Sequence, residues 1–241
     1  MKLRTDFQAG TCHNEVVSGR ALALIPAHPT WETLRDAALG CRACELWRRG
    51  TQTVFGEGTT HAHVMLVGEQ PGNEEDLAGH PFVGPAGRLL DLVLEQAGIA
   101  RSDAYVTNVV KHFKWEPRGK RRIHKKPNAV EIAACAPWIA AEIDLVKPQV
   151  LVCLGATAAQ ALLGRAFRVT QHRGEFVASP LAPRVLATVH PSSILRAPDE
   201  ESRHREQERL VEDLKVVAKE LKLTVHNQRQ TAKPPRSRRT G

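Results

Sequence analysis

No apolar run in the chain approaches the roughly 20 residues that a membrane-spanning helix needs. The first residues, MKLRTDFQAGTCHNEV, also lack the apolar core of a secretory signal peptide. We therefore expect a cytoplasmic protein with no membrane partner. Cysteine is scarce and odd in number, at five residues, and a reducing compartment disfavours disulfides. Metal or cluster ligation is the better expectation for these cysteines.

Nucleotide-cofactor motifs are missing as well. The chain has no glycine-rich dinucleotide fingerprint and no phosphate-binding loop with its Lys-Ser/Thr pair, which argues against a nucleotide-cofactor enzyme. It has no internal repeat. What the chain does have is positive charge, with a formal net charge of +8 and a pI near 9.5. This charge favours a polyanionic partner, and nucleic acid is a better candidate than a membrane surface.

Short apolar, β-branched segments predict the strands of a buried core. They are HVMLVG (63–68), AYVTNVV (104–110), VLVCLG (150–155) and RVLATVH (184–190). Helical patterns lie between them at 85–98, 128–146 and 156–164, and a last charged helix is expected over about 199–222. This alternation predicts an α/β fold with three layers, α/β/α, around a central four-stranded parallel sheet.

Changes in composition and pattern along the chain divide it into three segments. We expect an irregular leader over residues 1–29, one folded domain over 30–222 and a basic, disordered tail over 223–241 that is almost free of apolar residues. The chain is expected to be a monomer. Cys12, in the leader, is expected to be a free thiol.

The carboxyl ends of the four strands should mark the functional site, because ligands of open parallel sheets bind outside that edge. The loops beginning at Gly68, Asn108, Gly155 and His190 should therefore meet in one crevice. These loops read GEQPG, TNVVKHFKWEPRGKRRIH, GATAAQ and HPSSILR. Most of them carry polar groups where a buried strand has just ended.

The second loop contains GKRRIHKKP (119–127), which places His124 inside a run of cations. The cations are Lys120, Arg121, Arg122, Lys125 and Lys126. Such a run alone is more often a solvated loop or a nonspecific nucleic-acid contact. A neutral imidazole is also a nucleophile, and nearby positive charge lowers the pKa of histidine. The run by itself leaves both interpretations open.

Two cysteines, Cys41 and Cys44, form a CxxC pair just after a predicted helix. A lone pair of this kind is compatible with zinc, with a redox motif or with a cluster. Cys153 lies in mid-strand and is expected to belong to the core, because buried cysteine behaves as a small hydrophobe.

In order and spacing, the strand-end motifs resemble the iron–sulfur branch of the uracil-DNA glycosylase superfamily, typified by family four enzymes. The resemblance rests on GEQPG (68–72), PFVGPAGRLLD (81–91), YVTNVVK (105–111) and HPSSILR (190–196), and covers about residues 31–222. Gln70 and His112 stand where family four usually has alanine and cysteine. These two residues and the insertion GKRRIH resemble the UdgX subgroup.

The resemblance implies an enzyme that flips uracil out of DNA and breaks its N-glycosidic bond. It implies a [4Fe-4S] cluster held by Cys41, Cys44, His112 and Cys135, with Cys153 as the other candidate for the fourth ligand and zinc as the competing metal. Uracil-containing single-stranded DNA is the expected partner, because no paired base must then be opened.

By the same resemblance, Asn108 binds the Watson–Crick edge of the base, Phe82 stacks on it and His190 stabilises the leaving uracil. Glu69 stabilises the cationic sugar or activates a water, and Gln70 orients the DNA or the nucleophile. Backbone contacts around the flipped nucleotide are assigned to Ser192, Ser193 and Arg196.

The resemblance also implies a role for His124. In the UdgX subgroup the histidine of KRRIH captures the cationic sugar and leaves a covalent bond to the abasic site. The neighbouring cations would hold the loop on phosphates and keep the histidine neutral; they are Lys120, Arg121, Arg122 and Lys125. Two alternatives remain. One is a turnover family four enzyme whose basic loop only binds DNA, and the other is a non-catalytic, metal-stapled nucleic-acid-binding module.

Overall fold

The structure is a computed structural model that describes residues 19–231, with side chains up to residue 223. Residues 1–18, which include Cys12 and most of the predicted leader, lie outside the described residues, as do residues 232–241 of the predicted tail.

A central sheet organises the fold. The strands are β1 Val64–Gly68, β2 Ala104–Asn108, β3 Trp115–Arg118, β4 Arg121–His124, β5 Val150–Leu154, β6 Phe176–Val177 and β7 Arg184–Thr188. The sheet has the order β2-β1-β5-β7-β6, and its first four strands are parallel, which confirms the predicted four-stranded parallel sheet. The fifth strand, β6, runs antiparallel to β7 at the edge and is too short, at two residues, to show in a sequence pattern.

Helices cover both faces of this sheet. They are α1 Trp31–Leu39, α2 Asn73–Ala78, α3 Pro85–Ala97, α4 Ala129–Val146, α5 Ala156–Leu163, α6 Val169–His172, α7 Pro191–Ile194 and α8 Glu200–Thr231. The last helix ends later than the predicted 222, because the sequence has no glycine or proline between residue 200 and Pro234 to end it. No helix among residues 19–231 combines the length and the apolar character that crossing a bilayer requires.

Side chains alternate between the two faces of the sheet, and each face carries its own hydrophobic core. Side chains such as Leu66 and Val152 face α3 and α8, while Met65 and Cys153 face α4 and α5. The three-layer α/β/α fold is thereby confirmed. Cys153 is fully buried in the second core, as expected, and burial raises the pKa of its thiol to about 12. A smaller cluster packs α1 on α4 around Trp138.

The basic run folds as a β-hairpin rather than as the predicted loop. Strands β3 and β4 pair antiparallel, with Trp115 opposite His124 and Arg118 opposite Arg121. The turn between them has two residues, and Gly119 takes the left-handed φ of 59° that this tight turn requires. Lys125 N–H donates to Lys114 O at 2.9 Å and extends the pairing by one step. The hairpin therefore presents His124 from a strand of fixed register.

Candidate active site

Side chains assigned to the predicted crevice meet around Gly68, the last residue of β1, and we call this place the crevice. A Cβ atom at this position would lie 2.4 Å from Asn108 Oδ1, 2.8 Å from the Phe82 ring and 3.3 Å from His190 Nε2. The glycine is required because side chains from three separate loops approach its backbone so closely. The structure thus brings Asn108, Phe82 and His190 together, as the sequence predicts.

His190 lies two residues after β7 and caps α7. Its Nδ1 accepts a hydrogen bond from the Ser192 backbone N–H at 3.1 Å, which assigns the proton of the neutral ring to Nε2, the nitrogen nearest Gly68. Burial lowers the pKa of His190 to about 4, although the nearby Glu69 carboxylate opposes this shift. The ring lies stacked at 6.0 Å from that of Phe82. His190 therefore offers a neutral N–H donor in the crevice.

Glu69, the first residue after β1, is held as a carboxylate. Its Oε1 lies 3.3 Å from His124 Nε2, and its Oε2 accepts a hydrogen bond from the Thr157 hydroxyl in the first turn of α5. Burial raises the pKa of Glu69, but the hydrogen bonds from His124 and Thr157 outweigh burial and keep the pKa below its ordinary value. A charged carboxylate thus stands beside the imidazole.

His124, the last residue of β4, reaches Glu69 from the hairpin. Its side chain is 51% exposed, so the ring is open to a partner from solvent. The ring centroid of Phe113 lies 6.1 Å away, on the segment that leads into the hairpin. The histidine is therefore held at the edge of the crevice with one nitrogen on a carboxylate and much of its surface free.

Gln70 binds the open end of this hairpin, where Lys114 directly precedes β3 and Lys125 directly follows β4. We call this end the neck of the hairpin. Its Nε2 donates to Lys114 O at 3.2 Å and to Lys125 O at 3.1 Å, and its Oε1 accepts from Lys114 N–H at 3.2 Å. These backbone groups flank the two strands directly, so the carboxamide joins both ends of the hairpin. Of the two roles expected for Gln70, the contacts favour positioning of His124.

Phe82 has an unusual backbone, with a positive φ of 57°. Gly87 makes room for it, because a Cβ there would lie 1.7 Å from Phe82 O. The buried Glu75 carboxylate fixes the flanking loops by accepting from Gly72 N–H at 3.0 Å and Gly84 N–H at 2.8 Å. Backbone strain at a site residue is a common feature of binding clamps. Sequence reasoning missed Glu75, whose only signal is its place in the capping pattern of α2.

Comparison with known proteins shows the family of the chain. The profile of the Uracil DNA glycosylase superfamily matches residues 55–215, more than half of the chain. The chain belongs to this superfamily. It is 39% identical over 166 residues to a type-4 uracil-DNA glycosylase of Thermotoga maritima, which covers 68% of this chain and 83% of that protein. It is 35% identical over 174 residues to a type-4 enzyme of Pyrobaculum aerophilum, over 69% and 85% of the two chains.

A type-5 uracil-DNA glycosylase of Pyrobaculum aerophilum is more distant, with 29% identity over 184 residues, or 69% of this chain and 77% of that protein. The likeness to members of this superfamily thus extends beyond one type and spans the domain that carries the crevice.

In this superfamily member, the cations of the hairpin fall into two groups. Lys120 and Arg121 are exposed at its tip, and Lys125 is paired with Glu116 at 2.9 Å across the strands. These three remain available to a polyanion, because an exposed ion pair contributes little stability.

Arg122 instead turns inward. Its guanidinium donates to the buried Asp76 carboxylate and to Asn73 Oδ1, each at 2.7 Å, and lies 5.4 Å from the ring centroids of both Phe113 and Trp115. These contacts fasten the hairpin to α2. Arg122 was predicted to bind DNA phosphates, but the contacts observed give it a structural partner.

The loop after β7 carries the remaining predicted contacts. Ser192 and Ser193 bond locally, the first through the His190 ring and the second by donating to His190 O at 2.7 Å. Arg196 is exposed two residues beyond α7. The structure brings all three to the rim of the crevice beside His190.

A buried ion pair behind the crevice escaped the sequence analysis. Lys111 and Glu142 are both almost fully buried, and their charged groups are in direct contact. Lys111 Nζ also donates at 2.7 Å to Thr107 Oγ1 and to Asn108 O, while Glu142 accepts from Tyr105 OH at 3.0 Å. The pair therefore fixes the backbone of the predicted base-reading residue. The only signal was a glutamate within the apolar helix α4.

The three cysteines predicted as cluster ligands interact with one another. Cys41 Sγ accepts from Trp138 Nε1 at 3.3 Å, and the thiols of Cys44 and Cys135 are hydrogen-bonded. This bond lowers the pKa of Cys44 and raises that of Cys135. The Lys111 backbone N–H bonds to Cys135, so the same segment serves the ion pair and the cysteines.

His112 is buried nearby, with Nε2 at 3.1 Å from Thr53 Oγ1, whose hydroxyl donates to Ala38 O just before the CxxC pair. Burial lowers its pKa to about 4, so the ring is neutral, the form that binds metals. Three sulfur donors and this imidazole suit an iron–sulfur cluster or zinc. Within the described part of the chain, however, no three His, Cys, Asp or Glu side chains are already arranged as a metal-binding group.

Proposed function

We propose that this protein is a uracil-DNA glycosylase of the UdgX type, which excises uracil and then binds the abasic product covalently through His124. The observation that carries the proposal is the 3.3 Å approach of His124 Nε2 to the Glu69 carboxylate, beside the crevice lined by Asn108, Phe82 and His190. The similarity to type-4 uracil-DNA glycosylases supports the excision step.

Recognition of the base follows from the crevice. The Asn108 carboxamide offers a donor and an acceptor, which match O4 and N3–H of uracil. Asn108 is 3% exposed and its backbone is held by Lys111, so the group is preorganised. Phe82 supplies a ring for stacking, and His190 Nε2–H is the donor for uracil O2.

The chemistry uses the two residues that meet at the rim. As the bond between C1′ and N1 breaks, its electron pair leaves with uracil, and the His190 N–H stabilises the resulting negative charge on O2. The Glu69 carboxylate stabilises the cationic sugar and holds the Nε2–H of the neutral His124 ring. The other ring nitrogen, Nδ1, forms the new bond to C1′ with its lone pair, and the imidazolium so formed passes its Nε2 proton to Glu69 and from there to solvent. The hairpin holds the nucleophile in place before the cation forms.

A [4Fe-4S] cluster on Cys41, Cys44, His112 and Cys135 belongs to the same proposal. Bound there, it would join the CxxC segment, the start of the hairpin segment and α4, and so act as a structural staple. A brown protein with visible absorbance that bleaches on loss of iron is expected, whereas a colourless zinc protein would contradict the cluster. We further propose that the domain of residues 30–222 carries the whole activity as a monomer acting on single-stranded DNA.

The test is a denaturing gel of the protein boiled in detergent after mixing with a single-stranded oligonucleotide containing uracil or, as control, thymine. The wild-type protein should give a uracil-dependent band at the summed mass. His124→Ser should lose this band and release free uracil, and Glu69→Gln should lose both products. His204→Ser, an exposed histidine on α8, is the matched control and should behave as wild type. Free uracil without the band in the wild type would mean an ordinary turnover glycosylase, and binding without either product would mean a non-catalytic module.

A further inference from the structure

A second basic and aromatic surface lies on the segment that follows the CxxC pair. We call it the Trp47 surface, formed by Arg42, Trp47, Arg48 and Arg49. The guanidinium of Arg42 lies 4.7 Å from the centroid of the Trp47 ring, and that of Arg48 lies 5.0 Å from it. All three arginines are exposed and Trp47 is half-buried. None of these side chains takes part in the crevice described above.

The Trp47 surface is continuous with the hairpin that carries His124. Trp115 is the cross-strand partner of His124, and its Nε1–H donates to Arg49 O at 2.9 Å. Arg122 covers the Trp115 ring at 5.4 Å, and its Nη1 donates to Thr51 Oγ1 at 3.1 Å, two residues beyond Arg49. Trp115 therefore lies between His124 and Arg49 and joins the hairpin to the segment of the Trp47 surface.

The charge of this segment suits a polyanion. Within residues 41–50 the arginines 42, 48 and 49 face one acid, Glu45, so three positive charges and one negative charge give a net charge of +2. Glu45 pairs with Arg48 at 2.6 Å, but the two side chains are 80% and 62% exposed. Because water and salt screen such an exposed pair, a phosphate can compete for the arginine.

We propose that the Trp47 surface binds the single-stranded DNA that flanks the uracil, with a base against Trp47 and phosphates on Arg42 and Arg48. The proposal rests on the proposed function, since it extends the path of the same strand. Proteins that bind single strands combine aromatic platforms with cations that follow the backbone, and guanidinium groups stack on bases as they do on tryptophan. A duplex would offer phosphates to the arginines but no free base face to the ring, which favours a single strand.

The test compares oligonucleotides that differ only in length around the uracil. One has about two nucleotides on each side, and the others are extended by about eight nucleotides on the 5′ or the 3′ side, within the usual site sizes for single strands. Binding is measured by fluorescence anisotropy in the Glu69→Gln background, where no product forms. The Glu69→Gln protein without further changes, which is the parent of the variants below, should bind one extended oligonucleotide about tenfold more tightly than the short one.

Combining Arg42→Gln, Trp47→Leu and Arg48→Gln should reduce this gain to less than about twofold, and should lower the slope of log affinity against log salt by about 1.4 for two lost phosphate contacts. Arg35→Gln is the matched control, because Arg35 stacks on Trp31 at 4.8 Å but has no contact with the hairpin among those described and is paired with Asp36. It should keep the full gain.

The proposal is overturned if the parent gains nothing from either extension, if the triple variant loses the same factor on the short oligonucleotide as on the long one, or if an extension in duplex form gives an equal gain. Uracil release by the wild-type protein from the short oligonucleotide reports separately on the proposed function. Absence of that release would refute the glycosylase, whereas release without any effect of extension would refute only the Trp47 surface.

Discussion

Replacing Gln70 with leucine should separate uracil excision from covalent capture. The substitution keeps a side chain of similar size but removes the three hydrogen bonds that Gln70 makes to the hairpin neck. Lys114 O keeps its bond from Lys125 N–H, while Lys114 N–H and Lys125 O lose their partner. At about 1 kcal/mol for each hydrogen bond, the hairpin loses about 2–3 kcal/mol of stabilisation, which corresponds to about 30–150-fold in the equilibrium that holds His124 in place.

The expected outcome is a fall in the ratio of covalent product to free uracil, by up to that factor. Excision should fall less than capture, because Asn108, Phe82 and His190 have no described hydrogen bond to Gln70. The gel gives the ratio, and hydrogen exchange gives the protection of the amides of Lys114 and Lys125. Gln52→Leu is the matched control, since Gln52 also donates to backbone carbonyls, but to those of residues 76 and 77.

Two outcomes would contradict the prediction for Gln70→Leu. If the amide of Lys114 exchanges faster in Gln70→Leu and the ratio of products nevertheless stays at the wild-type value, the position of the hairpin does not govern capture. If neither changes, the hydrogen bonds of Gln70 contribute nothing measurable to the hairpin.

Other predictions test other parts of the site. Because burial lowers the pKa of His190 to about 4, against about 6.5 in the unfolded chain, its contribution to stability is complete above pH 6.5 and is lost as the pH falls to 4, at most about 3 kcal/mol. Urea unfolding of His190→Gln should lose this part of the pH dependence and keep the part that comes from His112, whose pKa burial also lowers to about 4. Gly87→Ala should displace Phe82, since the added Cβ would lie 1.7 Å from its carbonyl oxygen, and should raise the protein concentration that gives half-maximal single-turnover uracil release about tenfold, with an unchanged circular dichroism spectrum. Arg122→Ala should lower the free energy of unfolding by about 3 kcal/mol, because it leaves the buried Asp76 carboxylate without its cation, and adding Asp76→Asn should restore part of the loss.

Each of these has a contrary outcome. An acid dependence of unchanged size in His190→Gln would mean that His190 contributes none of it and that His112 or another group causes it. A wild-type half-maximal concentration in Gly87→Ala would mean that the loop holding Phe82 adapts to the methyl group. Wild-type stability in Arg122→Ala would mean that the backbone N–H of Thr51, which also binds Asp76, satisfies the carboxylate alone.

The sheet and the crevice were predictable because their signals are local. Buried parallel strands read as continuous β-branched runs, so the ends of β1, β2 and β7 could be placed in the sequence to within two residues. Parallel strands must then bring Gly68, Asn108 and His190 to one edge, and the distances around Gly68 agree with this expectation.

What escaped prediction depends on contacts between distant segments. The strands of the hairpin are polar and charged, without the alternation of a half-buried strand, and Gly119 in a two-residue turn was their only local signal. Gln70 binds backbone groups 44 and 55 residues away, which carry no side-chain signature. The pair of Lys111 and Glu142 joins a strand end to a helix, and sequence spacing says nothing about such a pairing.

Because His124 lies on a β-strand, its position along that strand decides which face of the hairpin its side chain occupies. Side chains of a strand alternate between its faces, so Arg122 and His124 share one face while Arg121 and Ile123 share the other. Inserting or deleting one residue between Arg122 and His124 would turn the imidazole to the opposite face, away from Glu69, without breaking a single bond at the anchored Arg122. Inserting two residues there would keep its direction. Natural or engineered variation in this hairpin should therefore tolerate even changes of length far better than odd ones, a counting rule that a flexible loop would not impose.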